Sequence, residues 1–410
     1  MNGSWPKNFY FGAATSAHQV EGHNENDWTE WERKNAARLA RNASYIYNRT
    51  PNWLHVEREA RDPQNYISGA ATNHWNLYEK DFELASEIGL NAYRLSIEWS
   101  RVEPSPGYFD EEALEHYRQM LRALKMRGLE PFVTVWHFTL PVWLSEIGGV
   151  TSPDFVKYFE RYAEKLALAL GQHVAYWLTM NEPELYLLAG YLRGVWPPAK
   201  QNVFDYFSAR RTLASAHRAA YAAIRRIDML STVGAAFNIT DFESGGGFIN
   251  DLFWKIANNK WNFYFPETLK DSLDFIGLNY YFHNRINYGF NKNANQKISD
   301  MGWEIYPSGI RVVLERLKKY NLPIFVTENG VADRDDNYRA GFIRETLAAV
   351  KDAVEAGIDV RGYFYWSLLD NFEWDKGFWP KFGLISVDYK TMSRRVRPSA
   401  EIYKSIIKGE

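Results

Sequence analysis

Along the chain, short apolar runs rich in β-branched and aromatic residues alternate with longer stretches whose apolar residues recur at spacings of three and four. The runs read as strands buried on both faces, and the longer stretches as helices with one inward face. Eight strands are predicted, over residues 9–13, 92–97, 131–136, 174–180, 232–237, 275–280, 324–327 and 360–366. Among the intervening segments, 111–127, 154–170 and 338–356 carry charged outer faces and predict helices. This alternation implies repeated βα units and a parallel sheet, and eight units fit a single (β/α)8 barrel. No Pro/Ser-rich linker or shift in composition divides residues 1–410, so one domain with long βα loops is expected. Residues 33–68 are polar, charged and aperiodic and read as a loop excursion near the first strand; 284–302 read as another.

Composition narrows the partners more than the fold. A hydrophobic fraction of 46% with 24% charged residues supplies ample core for a globular protein and gives no sign of disorder. The formal net charge of −2 gives no electrostatic reason to expect nucleic acid or an anionic membrane, which favours a neutral small-molecule substrate. Cysteine is absent, so neither a disulfide framework nor a thiolate zinc site can form. No apolar run approaches the length of a membrane span, and the start, Met1-Asn2-Gly3-Ser4-Trp5, lacks the features of a signal peptide. A cytoplasmic enzyme is the expectation, with the sequons at Asn2, Asn42, Asn48 and Asn238 as chance matches. Aromatic residues are abundant, at 16%. They fit either an aromatic-rich core or a site for sugars, whose C–H faces stack on rings.

In parallel barrels the reactive groups sit at the carboxyl ends of the strands, so the residues closing each run are the ones to inspect. The fourth run closes with Thr179-Met180-Asn181-Glu182-Pro183 and the seventh with Val326-Thr327-Glu328-Asn329-Gly330. Two carboxyl groups would therefore meet over one cavity. Glycoside hydrolysis needs such a pair, one group protonating the departing oxygen while the other attacks or stabilises the oxocarbenium-like centre. Repulsion between them favours a protonated Glu182 beside an ionised Glu328. A lone acid at a strand end is more often a capping or ion-pair partner; two in matching contexts shift that balance. A His-Glu-x-x-His pattern, a Walker A loop and a Gly-x-Ser-x-Gly elbow are all missing, and Gly245-Gly246-Gly247 lacks the lysine and strand-to-helix setting of a phosphate cradle.

Asn181-Glu182-Pro183 and Thr327-Glu328-Asn329-Gly330 resemble the two hallmarks of glycoside hydrolase family 1, the β-glucosidase and β-galactosidase family. The resemblance extends to Phe11-Gly12-Ala13-Ala14-Thr15-Ser16-Ala17-His18-Gln19-Val20-Glu21-Gly22, to Tyr93-Arg94-Leu95-Ser96-Ile97-Glu98-Trp99-Ser100-Arg101, and to Trp366-Ser367-Leu368-Leu369-Asp370-Asn371-Phe372-Glu373-Trp374. It implies a (β/α)8 barrel, retention of anomeric configuration and no cofactor, with small β-glycosides and oligosaccharides as substrates and a homo-oligomer compatible with it. By this resemblance Glu182 is the general acid/base, Glu328 the nucleophile, and Arg94 and Tyr281 the partners that keep Glu328 ionised. Gln19, His137, Asn181, Glu373 and Trp374 would bind sugar hydroxyls, and Trp366 would be the platform under the first sugar. Trp303 would form the aglycone side, while Asn279, Phe138 and Phe382 are further lining candidates.

The sequence departs from the family at Phe138-Thr139, where Trp-Asp is common, at Val150, where Trp is common, and at Asn73, where Asp is usual. The first departure removes an indole donor and bears on sugar preference. Within the fold, a 6-phospho-β-glycosidase is the rival reading, although Glu373-Trp374-Asp375 stands where such enzymes need cations. A catalytically silent sugar-binding barrel is the alternative from another class.

Overall fold

The computed structural model describes residues 5–295 and 297–410; Gln296 and Asn2, with its sequon, lie outside the described residues. All eight predicted strands form, as β1 (Tyr10–Ala14), β2 (Ala92–Ser96), β3 (Glu130–Trp136), β4 (Tyr176–Asn181), β5 (Thr232–Asn238), β6 (Phe275–Asn279), β7 (Ile324–Asn329) and β8 (Val360–Trp366). They pair in parallel in chain order, and β8 closes onto β1 with Ala14 opposite Trp366. Along β3, Phe132 points into the barrel while Val133 and Val135 join the layer between strands and helices, which is the alternation a pleated strand imposes. The inside is filled mainly by aromatics: the rings of Phe132 and Tyr176 stack at 4.3 Å, with Phe325 and Phe364 edge-on to Phe132. Gly12 is required here, because a Cβ on it would lie 2.4 Å from the Phe364 ring.

The helices start where their sequences offer caps. In chain order the longer ones are α1 (Asp27–Tyr47), α2 (Trp53–Ala60), α3 (His74–Glu87), α4 (Glu111–Met126), α5 (Phe155–Leu170), α6 (Val203–Ile227), α7 (Phe248–Ala257), α8 (Gly309–Leu317), α9 (Arg339–Glu355) and α10 (Pro398–Lys408). Asp110 accepts from the backbone N–H groups of Glu112 and Ala113 at the start of α4, Asn202 caps α6, and Asn26 with Thr29 forms a reciprocal capping box on α1.

Two expectations need correction. Residues 33–68 are not a loop excursion: they continue α1 to Tyr47 and then form α2. Their buried face is built from Ala36, Ala40, Ala43 and Tyr47, spaced as a helix requires but mostly too small to register as an apolar stripe. The stretch read as a loop at 284–302 begins inside a short strand, His283–Ile286, which pairs in parallel with Asp241–Ser244. Asn238, whose sequon was read as chance, is 2% exposed and inaccessible to glycan attachment in the folded protein. Among the described residues, no helix is long and apolar enough to cross a membrane.

Candidate active site

At the carboxyl end of the barrel, β4 to β7 each finish on asparagine, and the register sets Asn238 opposite Asn279 and Asn279 opposite Glu328. Pairing shifts by a residue just before Asn181 and again just before Glu328. Such bulges re-aim the side chains that follow, and here those side chains are the two acids.

Glu328 is 4% exposed and has a donor on each oxygen. Arg94 Nη1 donates to Oε1 at 2.5 Å and Tyr281 OH donates to Oε2 at 2.9 Å. The guanidinium is itself fixed: Nε donates to Thr134 Oγ1 at 3.1 Å and Nη2 to Asn181 Oδ1 at 2.7 Å. Burial pushes the Glu328 carboxyl up, and Arg94, Tyr281 and Asn279 act against that push.

Glu182 meets different neighbours. It follows the last residue of β4 in the left-handed region, at φ +40°, with Pro183 opening a short helix behind it. A non-glycine residue held there stores on the order of 1–3 kcal/mol of strain, which the Glu182 N–H to Ala236 O bond at 2.8 Å helps to hold. Its Oε1 accepts from Asn279 at 2.7 Å and from Asn238 at 3.2 Å, both neutral donors. Burial first, and then repulsion from Glu328, push Glu182 up to about 8. The proton shared by the pair therefore resides on Glu182 at neutral pH, while the ion pair with Arg94 favours charge on Glu328.

A cavity of about 470 Å³ opens over these acids. Eleven of the fourteen site residues expected from sequence line it: His137, Phe138, Asn181, Glu182, Tyr281, Trp303, Glu328, Trp366, Glu373, Trp374 and Phe382. Gln19, Arg94 and Asn279 instead brace wall residues from behind. Gln19 Nε2 donates to Phe372 O at 2.8 Å, Asn371 Oδ1 at 3.0 Å and Glu373 Oε2 at 3.4 Å. His137 is held neutral by burial and by Arg94; its Nε2 accepts from Asn181 Nδ2 at 3.2 Å. That leaves Nδ1 as a buried N–H donor without a partner among the described residues, a group that a sugar hydroxyl can satisfy. Glu373 is pushed up to about 8, chiefly by burial, so in the free protein it is mainly an uncharged acid able both to donate and to accept.

The rings around the floor are fixed by one another. Trp374 stacks on His18 at 5.6 Å and packs 4.7 Å from Trp28, while Trp366 lies nearly parallel to His137 at 6.1 Å. Phe138 packs against both Trp374 and Trp196, and Thr139 turns away to donate to the buried Glu98 at 3.0 Å, so this departure from the family pattern closes the wall with an apolar ring. Trp303, half-buried, meets Phe282 at 4.7 Å and Phe382 at 6.1 Å. Among the described residues, no group of three or more His, Cys, Asp or Glu is arranged to hold a metal ion.

Sequence reasoning missed several participants. Asn238 was recoverable from the strand-end rule that found Glu182. Glu184, held well above the carboxylate range by burial and by Glu182, becomes visible only once β5 brings Asn238 against it, its backbone N–H donating to Glu184 Oε1. Arg38, Leu39, Ile46 and Tyr47 of α1 reach the cavity mouth, together with Arg193 and Lys376.

Comparison with known proteins agrees with this geometry. The model of the family described as glycosyl hydrolase family 1 matches residues 1–246 and 245–410. The chain is 30% identical to Beta-glucosidase A of Thermotoga maritima, over 99% of this chain and 98% of that protein. It is 31% identical to a Beta-galactosidase of Sulfolobus acidocaldarius, over 87% of this chain and 89% of that one. Among solved structures, a beta-glycosidase from Pyrococcus horikoshii superposes with a TM-score of 0.86 at 35% identity, covering 98% of this chain and 95% of the other.

Proposed function

Because this chain belongs to glycosyl hydrolase family 1 and is an O-glycosyl hydrolase of β-glucosidase type, we propose that it removes terminal, non-reducing β-linked sugars by a two-step displacement through Glu328 and Glu182. The supporting observation is the unequal setting of two buried carboxyls over one cavity, one paired with a guanidinium and a phenol, the other raised to about 8 among neutral amides.

In the first step a Glu328 oxygen forms a bond to the anomeric carbon as the glycosidic C–O bond breaks, and the Glu182 proton goes to the departing oxygen. Glycosylation removes the Glu328 charge, so the repulsive part of the push on Glu182 disappears, and the carboxylate left by proton donation can act as a base. In the second step Glu182 takes a proton from water, the water oxygen bonds to the anomeric carbon, and the Glu328–carbon bond breaks. Two inversions give net retention. Asn181, oriented by Arg94, faces the sugar's 2-hydroxyl; His137 and Trp374 offer N–H donors, and Glu373, steadied by Gln19, exchanges hydrogen bonds with further hydroxyls. Trp366 underlies the ring, and Trp303 with Phe382 receives the leaving group. An alcohol bound there can replace water, so transglycosylation accompanies hydrolysis.

Glucose is the first-choice sugar, with galactose and fucose also within reach of this donor set. The same proposal has the chain acting as one barrel domain in the cytoplasm on small β-glycosides and oligosaccharides. The test is a panel of 4-nitrophenyl β-glucoside, β-galactoside, β-fucoside and 6-phospho-β-glucoside with wild type beside Glu328→Gln. Nitrophenol release from unphosphorylated substrates by wild type alone is expected, with the variant folded by circular dichroism. Full activity in Glu328→Gln would overturn its role, and release from the phosphorylated sugar alone would assign the site to a phospho-glycosidase.

A further inference from the structure

The cavity separates its charges by depth. Glu182 and Glu328 are buried on the floor, with Glu373 half-buried beside them, whereas Arg38 and Arg193, which line the same cavity, are exposed and so mark the opening. Arg38 Nε and Nη2 rest on Asn35 Oδ1 at 3.1 and 2.7 Å, a neutral acceptor, and neither arginine has a carboxylate partner among the described residues. Lys376 adds a third cation, its Nζ lying 2.7 Å from both oxygens of Asp375. Tyr47, Arg193 and Lys376 all line this same cavity. Three cations against one carboxylate leave the rim positive, in a protein whose net charge is −2. Between rim and floor the wall is apolar, formed by Met301, Phe282, Trp303 and Phe382.

We propose that the preferred substrates are β-glycosides with a neutral sugar and an apolar-bodied aglycone that ends in an anionic group, a carboxylate above all, received by Arg38 and Arg193. A guanidinium matches a carboxylate with paired donors, and a neutral amide behind Arg38 orients it without competing for its charge. The reverse arrangement is disfavoured, because an anionic sugar on the floor would meet the ionised Glu328. The inference rests on the glycosidase reading above.

The experiment compares kcat/KM for the β-glucoside of 4-hydroxybenzoate with that for the β-glucoside of its methyl ester. Wild type and the Arg38→Gln/Arg193→Gln double variant are each measured at about 0.01 M and about 1 M salt. The two phenols differ as leaving groups, but that difference is common to both proteins and cancels when their acid-to-ester ratios are compared. At low salt the ratio should fall about fivefold or more in the double variant, and high salt should erase the difference between the proteins, as expected for exposed charge pairs. An unchanged ratio at low salt, with the ester still cleaved by wild type, overturns the rim proposal and leaves the glycosidase reading standing. Failure of wild type to cleave either compound overturns both.

Discussion

Glu182 and Glu328 are buried to nearly the same degree, 3% and 4% exposed, so burial alone cannot divide their roles. Their neighbours do. With the proton needed on Glu182, activity should fall as pH rises through about 8, and on the acid side as Glu328 takes up a proton. The two limbs belong to the coupled pair and not to either residue alone. Tyr281 OH lowers the Glu328 pKa by donating to its carboxylate, so Tyr281→Phe should move the acid limb of the kcat/KM profile to higher pH and lower the maximum about 10-fold or more. An acid limb that stays in place in this variant would mean that Tyr281 does not set the ionisation of Glu328. Both acids were legible in the sequence, since each closes an apolar run beside a distinctive neighbour. Asn238 was within reach of the same strand-end rule, whereas Glu184 and Lys376 were not, because what makes them matter is contact across strands or loops distant in sequence.

At the scale of elements, the strands were legible because each is a compact β-branched or aromatic run. Their ends were cut short at Asn181, Asn238 and Asn329, where a polar residue reads as the start of a loop. Those polar ends carry much of the site chemistry, so the rule that finds strands by apolarity under-reads them where function lies. The segment 33–68 failed for a related reason: the inward face of α1 is alanine, favourable to helix but weak as a hydrophobic signal. If that alanine face seats α1, enlarging it should cost stability. Ala43, fully buried beside Tyr47, Trp53 and Val56, should not accept a larger side chain, and Ala43→Leu is expected to cost about 1–3 kcal/mol in urea unfolding. Exposed Arg41→Ala on the opposite side should change stability by no more than about 0.5 kcal/mol. Equal effects from the two would contradict the packing assigned to α1.

For the whole molecule, barrel closure brings distant segments to one cavity, and the carboxy-terminal region secures that closure. Arg397 meets buried Asp370 through two bonds of 3.0 and 2.9 Å, and Tyr403 of α10 donates to the carbonyls of Gly12 in β1 and Tyr363 in β8 at 3.0 and 3.2 Å. Arg397→Met strands the Asp370 charge and should destabilise the fold by about 3–5 kcal/mol; a loss below about 1 kcal/mol would show that solvent reaches this pair. Such ties were invisible in the sequence, where their partners stand 27 to 391 residues apart. The central claim, displacement at the anomeric carbon by Glu328 and then by water activated at Glu182, is tested most directly by the configuration of the first product. Proton NMR of wild-type enzyme with 4-nitrophenyl β-glucoside, recorded before mutarotation, should show the β-anomer of glucose accumulating first. Initial appearance of the α-anomer would mean single-step inversion and would contradict the account.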